Sequence, residues 1–581
     1  MMTLAVRKYL SPHNPFFVGL LLLFLGLILF GNSFNYEFCS DDQMIIAGNP
    51  AIRNPNNIPH IWKAFNSRSL TGWSFAVNYR MDQLKPFGYR LTNLLLHVGV
   101  SFLVYVLAGM MLQAPRGPGR ELTERSGLIA LLAALIFLLH PLQTQVVNFI
   151  TQRTTSLAVL FYLTALICYV KFRTGKAVWS YVLAALAMLL GMFSKEMIIT
   201  LPLMLTLYEC FFFKHDRRDW LLVGLRLLPF YLLAALVPVL VSFDRPDSIL
   251  SLKSQLVGRP FNWQYFWTEI NVLRTYIRMM LLPLHQSHHY NYPLAEGLRD
   301  GSVIFSLGVL GAVIGFAAVQ FRARRILTFC VIWFFISVAP ESLHVCFVNK
   351  GVIYDHWVYL AMVGYAILMP VAAVYFLREL KAVVPIFILF LVFLTALSYQ
   401  RTRVWESCVS LWQDAVTKAP NDYLPYINLG VAQSRRQQYE KAIDSYQRAL
   451  DLYKGRDGRV VAQILVNLSA VFGRKGNYSR EIEFAQKALD WDPNNSQACS
   501  NLSLAYLMVN ELDKAWMYGE KAIALDRYNA DAYNNLGVFY ASQENYSKAA
   551  EYFRRALWAN PGHQQALINF RRVLEQPSLA P

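Results

Sequence analysis

Five Asn-Leu-like pairs recur along the last third of the chain, at Asn428-Leu429, Asn467-Leu468, Asn501-Leu502, Asn535-Leu536 and Asn569-Phe570. Their second members step by 39, 34, 34 and 34 residues, and 34 is the period of a helix pair that stacks on its neighbours into a right-handed solenoid. Such a pair cannot bury its apolar face alone, so the period dictates an array. Alanine recurs 20 residues after each of the four leucines, at Ala449, Ala488, Ala522 and Ala556, with Ala442, Ala515 and Ala549 at 13. These are positions where two helices approach too closely for a larger side chain. The extra five residues around Lys454 to Arg459 lengthen one turn and leave the stacking intact.

Ahead of the array, up to about Gln400, the chain is a succession of apolar runs. With 55% of its 581 residues apolar and 16% charged, it has the composition of a polytopic membrane protein carrying a soluble appendage. The predicted architecture is all-α: a transmembrane domain over 1–400 with about 11 spans, then a tetratricopeptide α-solenoid over 401–581. The runs begin near residues 16, 91, 127, 154, 177, 197, 221, 302, 325, 358 and 382. The first has no small-residue cleavage site after it and reads as a retained span. The net charge of +17 does not point to nucleic acid, because much of the excess falls in short loops, where it sets topology and attracts anionic lipid. With the N-terminus inside, Arg116, Arg120, Arg125, Lys171, Arg173, Lys214, Arg322, Arg324 and Arg325 all lie on cytoplasmic loops. This holds if the stretch from Tyr265 to Leu284 is a re-entrant or interfacial helix on the outer side. An odd number of crossings then puts the repeats outside as well.

The outer loops, among them 32–90 and 243–301, hold most residues of chemical interest. Ionisable groups at the membrane boundary are costly to desolvate and are kept where they pair or line a polar cavity, so the loops are expected to converge on one site. In the first loop, Asp41-Asp42 offers one carboxylate as a base and one as a positioning group, or else caps a turn. In the second, His140-Pro141 stops a helix and Arg153 heads the next, meeting an anionic head group or snorkelling to lipid. Lys195 and Glu196 lie between two apolar runs and pair with each other or face the cavity, where a lysine can hold phosphate. The seven cysteines contain no Cys-x-x-Cys pair, so no zinc or redox motif is indicated. A Cys39–Cys346 disulfide stays open.

The run from His140 to Leu157 (HPLQTQVVNFITQRTTSL), with Asp41-Asp42, Ser194-Lys195-Glu196 and the junction from Arg403-Val404-Trp405 through Trp412 to Asn421, resembles bacterial membrane proteins with C-terminal tetratricopeptide repeats. These are similar to the eukaryotic transmembrane and tetratricopeptide-repeat O-mannosyltransferases of the GT-C glycosyltransferase superfamily. The resemblance implies a GT-C-type bundle that moves a sugar from a polyprenyl-phosphate carrier to Ser or Thr of an extracytoplasmic protein. The lipid-linked sugar is the donor substrate, and no cofactor or metal is required, since cations can neutralise one phosphate. By the same resemblance Asp42 is the base and Asp41 its orienting partner. Arg153 and Lys195 hold the lipid phosphate, His140 shapes the floor, and Glu196, His289, Asp355 and His356 line the substrate pocket. In a bacterial host the protein is multi-pass in the inner membrane with the repeats in the periplasm.

The chain departs from that pattern in places. His289 and Asn291 stand where relatives tend to carry acids, Asp355-His356-Trp357 stands for Glu-His-Arg, and Arg68-Ser69 for Arg-Pro. The imidazoles of His285, His288 and His289 have ligand spacing, but no cysteine or carboxylate lies near in sequence, so they are assigned hydrogen bonds to sugar or phosphate. The repeat asparagines, Asn428, Asn467, Asn501, Asn535 and Asn569, resemble the asparagine ladder of the O-linked N-acetylglucosamine transferase. Amides in a row can grip an extended peptide of any sequence, although Asn before Leu-Gly is also common in this repeat class. The alternative to an O-glycosyltransferase is a non-catalytic membrane scaffold whose repeats assemble a protein complex.

Overall fold

In the computed structural model residues 14–576 are described, except 118, 176, 217–218, 244–259, 349–350 and 378–379. Every element formed by the described residues is helical, and contacts divide the chain into two compact units, Met1–Ser407 and Cys408–Pro581.

The first unit opens with α1 (Pro15–Phe30), whose start is set by Asn14 accepting from the Phe16 amide, with proline at the first helical position. Two short helices, α2 (Ile58–Phe65) and α3 (Ser69–Asp82), lie in the first long loop. Then come α4 (Pro86–Leu112), α5 (Arg120–Glu124), α6 (Ser126–Leu139), α7 (Thr144–Asn148) and α8 (Arg153–Gly175). The unit continues through α9 (Val178–Met192), α10 (Leu201–Phe212), α11 (Asp219–Phe243), α12 (Trp263–Leu281) and α13 (Gly301–Gln320). It ends with α14 (Arg325–Val348), α15 (Ala361–Leu377) and α16 (Leu380–Arg403).

Seven of these stretches are long and apolar enough to cross a membrane, and an eighth is α6 and α7 together, bent by 53°. Pro141 causes the bend. A residue before proline is pushed out of the helical region, and His140 sits at ψ 132°. The apolar helices α9 and α15 are shorter and α10 has 12 residues, so of the eleven expected crossings seven, or eight with the bent pair, have membrane length among the described residues. The helix α12 carries Glu269, Arg274 and Arg278 among its apolar residues and is not one of the membrane-length apolar stretches. Residues 244–259 of the loop before it lie outside the described residues.

Helices of the first unit are pinned by buried polar groups. His97 on α4 bonds the Tyr359 hydroxyl at 2.8 Å and the Leu138 carbonyl at 3.1 Å, which leaves no buried ring nitrogen unmatched. Where α15 crosses α14 only glycine fits, since a Cβ at Gly364 would stand 2.9 Å from the Cys330 carbonyl oxygen and the Trp333 ring. The open Cys39–Cys346 pairing is not made: Cys346 is a buried free thiol directed at the Ser342 carbonyl.

The second unit starts with α17 (Cys408–Lys418), then pairs α18 (Tyr423–Arg435) with α19 (Tyr439–Leu452) and α20 (Gly458–Arg474) with α21 (Tyr478–Trp491). Two further pairs follow, α22 (Ser496–Met508) with α23 (Leu512–Leu525) and α24 (Ala530–Ser542) with α25 (Tyr546–Ala559), before α26 (Gln564–Leu574). Asp422, Asp457, Asn495 and Asn529 cap the leading helices by accepting their first free amides. Ala449, Ala488, Ala522 and Ala556 are fully buried. Glycine follows the leading leucine where an aromatic ring of the partner helix fills the space: a Cβ at Gly430 would lie 2.6 Å from Tyr446, and one at Gly537 2.5 Å from Phe553. The inserted residues fall in the connection between Leu452 and Gly458, outside both helices.

Candidate functional site

The loops of the first unit that the sequence reading places outside are cross-linked by side chains into one polar cluster. The Asp42 carboxylate is 1% exposed and accepts backbone amides from Ile150 at 3.2 Å and Thr151 at 2.8 Å, bolting the first loop to the second. Burial pushes its carboxyl up to about 7, against the opposing pull of Arg90 and of those two amides. Asp41, its neighbour, is exposed, with its carboxyl raised by partial desolvation, and its charge reaches the Tyr354 phenol. The preceding Ser40 adopts φ 55°, a left-handed conformation rare for a side-chain-bearing residue. Its hydroxyl meets His288 Nε2 at 3.1 Å.

Arg90, unnoticed in the sequence, is the second bolt. It is 1% exposed and donates to the carbonyls of Glu37 at 2.7 Å and Tyr36 at 3.3 Å, and to that of Asn148. An arginine near the head of an apolar span was the available signal.

Two residues expected at the donor phosphate are committed elsewhere. Arg153 is fully buried, with donors spent on Asn93 at 2.8 Å, Asn78 at 2.6 Å, Ser74 at 3.2 Å and the Tyr89 carbonyl at 2.9 Å. Its guanidinium also lies 4.6 Å over Phe75. His140 is fully buried too: Nδ1 accepts the Leu142 amide at 3.3 Å and Nε2 meets the Met280 carbonyl at 3.0 Å. That pairing fixes the neutral tautomer and spends both nitrogens. Both residues thus have their polar atoms engaged by the protein itself.

Lys195 remains near the cluster, 5% exposed, but its ammonium is 2.9 Å from Glu341 and 3.4 Å from the Thr155 hydroxyl. Glu196 pairs instead with Arg68, at 3.1 Å and 3.4 Å from the fork. Burial alone would raise Glu196, and the Arg68 and Lys195 charges outweigh it and hold the carboxyl below its usual range. Lys195 and Glu196 thus face separate partners, neither of which the sequence pointed to.

On the opposite wall, Asp355 is 1% exposed and accepts the Tyr290 hydroxyl at 2.5 Å. Gln145 Oε1 accepts the His356 amide at 2.9 Å and meets Nδ1 at 3.1 Å. Burial first, then the Lys195, His288 and Arg68 charges, drive the imidazole well below its ordinary pKa, so it is neutral. His288 is held edge-on to Phe149 and Trp405, each at 5.3 Å, while His289 is half-buried at the margin and His285 is exposed. Glu269 on α12 was also missed. It is 3% exposed and is pushed by burial up to about 8, against the opposing pull of the Ser342 hydroxyl. Burial first, then the Glu269 charge with those of Asp355 and Glu341, raises the Tyr276 phenol, whose hydroxyl is paired with the Tyr354 carbonyl and amide, each at 3.1 Å.

In the repeat unit the asparagines divide. Asn501 is 8% exposed and donates to the Val466 carbonyl at 3.2 Å; Asn535 is 6% exposed and donates to the Ser500 carbonyl at 2.9 Å. Asn569 donates to Asn534 Oδ1 at 3.0 Å. Each partner precedes the asparagine of the preceding repeat, so these amides staple neighbours together. Asn501 and Asn535 therefore do not line an open groove as the ladder reading expects. Asn428 and Asn467 are half-buried on their helices.

Models of the tetratricopeptide repeat match residues 423–494 and 530–563. The second unit is a tetratricopeptide array. Over 439 residues the chain is 23% identical to a protein O-mannosyl-transferase of Caenorhabditis elegans, covering 71% of this chain and 59% of that one. A protein O-mannosyl-transferase of Drosophila melanogaster is 23% identical over 66% of this chain and 48% of its own. One of Homo sapiens is 28% identical over 28% of this chain and 24% of its own. The chain thus spans between about a quarter and three fifths of the length of these curated relatives, and is a homologue of proteins named as protein O-mannosyl-transferases.

Proposed function

We propose that the protein is an integral-membrane O-glycosyltransferase that moves a sugar from a polyprenyl-phosphate carrier to Ser or Thr of an extracytoplasmic protein held by the tetratricopeptide array. The observation that carries this reading is the asymmetry of the acidic pair. Asp42 is sealed and bolted, whereas Asp41 is exposed with its carboxyl raised, as a general base needs to be. The roles expected from the sequence are therefore exchanged: Asp41 is the base and Asp42 its anchor. Asp41 takes the proton of the acceptor hydroxyl as that oxygen attacks the anomeric carbon. The bond from that carbon to the carrier phosphate breaks with inversion, and the phosphate leaves with the electron pair. Lys195 is the cation proposed to follow the leaving phosphate, with Glu341 holding the ammonium in place until then. Arg153 and His140 are positioning residues. One phosphate is neutralised by one cation, so the step needs no metal.

The proposed setting is an inner membrane, with the cluster and the repeats on the periplasmic side and the basic loops on the cytoplasmic side. The test is intact-mass analysis of extracytoplasmic proteins from cells carrying the wild type or Asp41→Asn. A hexose-sized mass lost from a client only in the variant supports the reading, whereas unchanged masses overturn it. The scaffold alternative draws on one observation, the neutralisation of Lys195 by Glu341 and of Arg68 by Glu196. It would be favoured if a client were pulled down by the chain without gaining mass.

A further inference from the structure

At the other end of the first unit a polar cavity stands apart from the outer loops. Three short connections meet there: the turn after α4, the one after α10, and the one joining α13 to α14. The Arg116 amide donates to the Phe212 carbonyl at 3.2 Å, and Phe211 packs edge-on to Phe321 at 5.4 Å, so the three are held together by more than proximity. The cavity is about 500 Å³ and is lined by Arg116, Lys214, Arg322 and Arg325, with no carboxylate among its lining residues. Along α4 it is about 33 Å from Arg90, taking 1.5 Å per residue.

The pairing pattern around it is informative. Cations close by are neutralised, Arg120 by Glu124, Arg125 by Glu121 and Arg173 by Glu209. Among the described residues none of the four lining cations has such a partner. Arg324, between two of them, is turned away onto Tyr375 and Phe376 at 5.1 and 4.8 Å, which leaves its neighbours to the cavity. The cavity also opens at the first residues of α14, where the helix contributes partial positive charge. Loop cations that only set topology need no shared cavity. Four that converge unpaired on a volume of ligand size describe a site.

We propose that this cavity binds a polyanionic phosphate group, such as the head group of an anionic phospholipid in the leaflet opposite the outer loops. Arginine forks suit phosphate oxygens bidentately, and a basic pocket between spans on the cytoplasmic side has the chemistry that holds such head groups. A soluble phosphate ester would present the same oxygens.

The test uses the full chain, purified in mild detergent and studied by native mass spectrometry with added cardiolipin, phosphatidylglycerol or phosphatidylcholine, and by thermal melting with inorganic pyrophosphate. The expected result is one saturable anionic lipid retained per chain, with retention falling about tenfold in Arg322→Gln/Arg325→Gln and unaltered in Arg120→Gln. Because lost cations can disturb insertion, Arg322→Lys/Arg325→Lys keeps the charge while removing the forks, and should still weaken retention several-fold. Protection by pyrophosphate that the Gln pair abolishes, without lipid discrimination, would assign the same site to a soluble phosphate. Equal loss in Arg120→Gln, or undiminished binding of every probe in the Gln and Lys pairs, would overturn the proposal.

Discussion

Replacing Asn535 with alanine separates a staple from a peptide ligand. The side-chain amide donates to the Ser500 carbonyl at 2.9 Å and the Ser500 hydroxyl at 3.2 Å, and the residue is 6% exposed. Loss of two neutral hydrogen bonds at about 1 kcal/mol each, with up to about 1 kcal/mol for the small void, comes to roughly 2–3 kcal/mol. The perturbation is local, because repeats in such an array interact with their neighbours only. Hydrogen exchange of the full chain in detergent should therefore show amides of α22 and α24 exchanging about 30- to 140-fold faster, at 1.4 kcal/mol per decade. Amides of α18 should keep their rates. Unchanged exchange across α22 and α24, combined with loss of client binding, would refute the staple and return Asn535 to the binding surface.

Asp41→Asn should cut initial transfer rates by about 10²- to 10⁴-fold without lowering the melting temperature. Asp42→Asn should instead destabilise by about 1–3 kcal/mol, because its new NH2 faces a backbone donor; a stable, inactive Asp42→Asn would reverse the two assignments. Glu481 is 2% exposed and burial pushes it from 4.5 up to about 8. Its folded form holds a proton more tightly than the unfolded chain, so stability is complete below about pH 4.5 and falls as pH rises through about 8, by on the order of 5 kcal/mol. Glu481→Gln should flatten denaturant midpoints of the array measured between pH 4 and 9. Breaking the Lys195–Glu341 pair, buried on the lysine side and half-buried on the other, should cost up to about 3 kcal/mol from either side, while the double alanine variant should cost less than the sum of the singles; additive melting shifts would mean the two charges do not interact.

The array was legible because its period is local and its small residues are forced by close approach. The starts of the membrane helices were legible because hydrocarbon demands apolar runs. Asp41-Asp42 could be singled out, but not which carboxylate is sealed, since that depends on two amides more than 100 residues away. Arg153 looked like a phosphate ligand because the sequence does not say that Asn78, Asn93 and Tyr89 fold around it. The same blindness to distant partners hid Glu341 behind Lys195 and Arg68 behind Glu196. Glu269 was passed over because a lone acid on an amphipathic helix reads as solvated. The spacing of the asparagines was plain, whereas the direction of their amides is a property of the stacked array.

Arg90 grips backbone atoms just ahead of the acidic turn and Asp42 grips those of the second loop, and among the described residues neither forms a salt bridge that a ligand could pull apart. On the proposed reading, the position of Asp41 is therefore decided before any substrate arrives, and little reorganisation is left for the moment of proton transfer. Fit to different acceptors must then come from the wall facing it, where Tyr290, Tyr354 and His289 stand on connecting segments. Selection for new clients would be expected to rewrite that wall first and leave the turn beneath it alone.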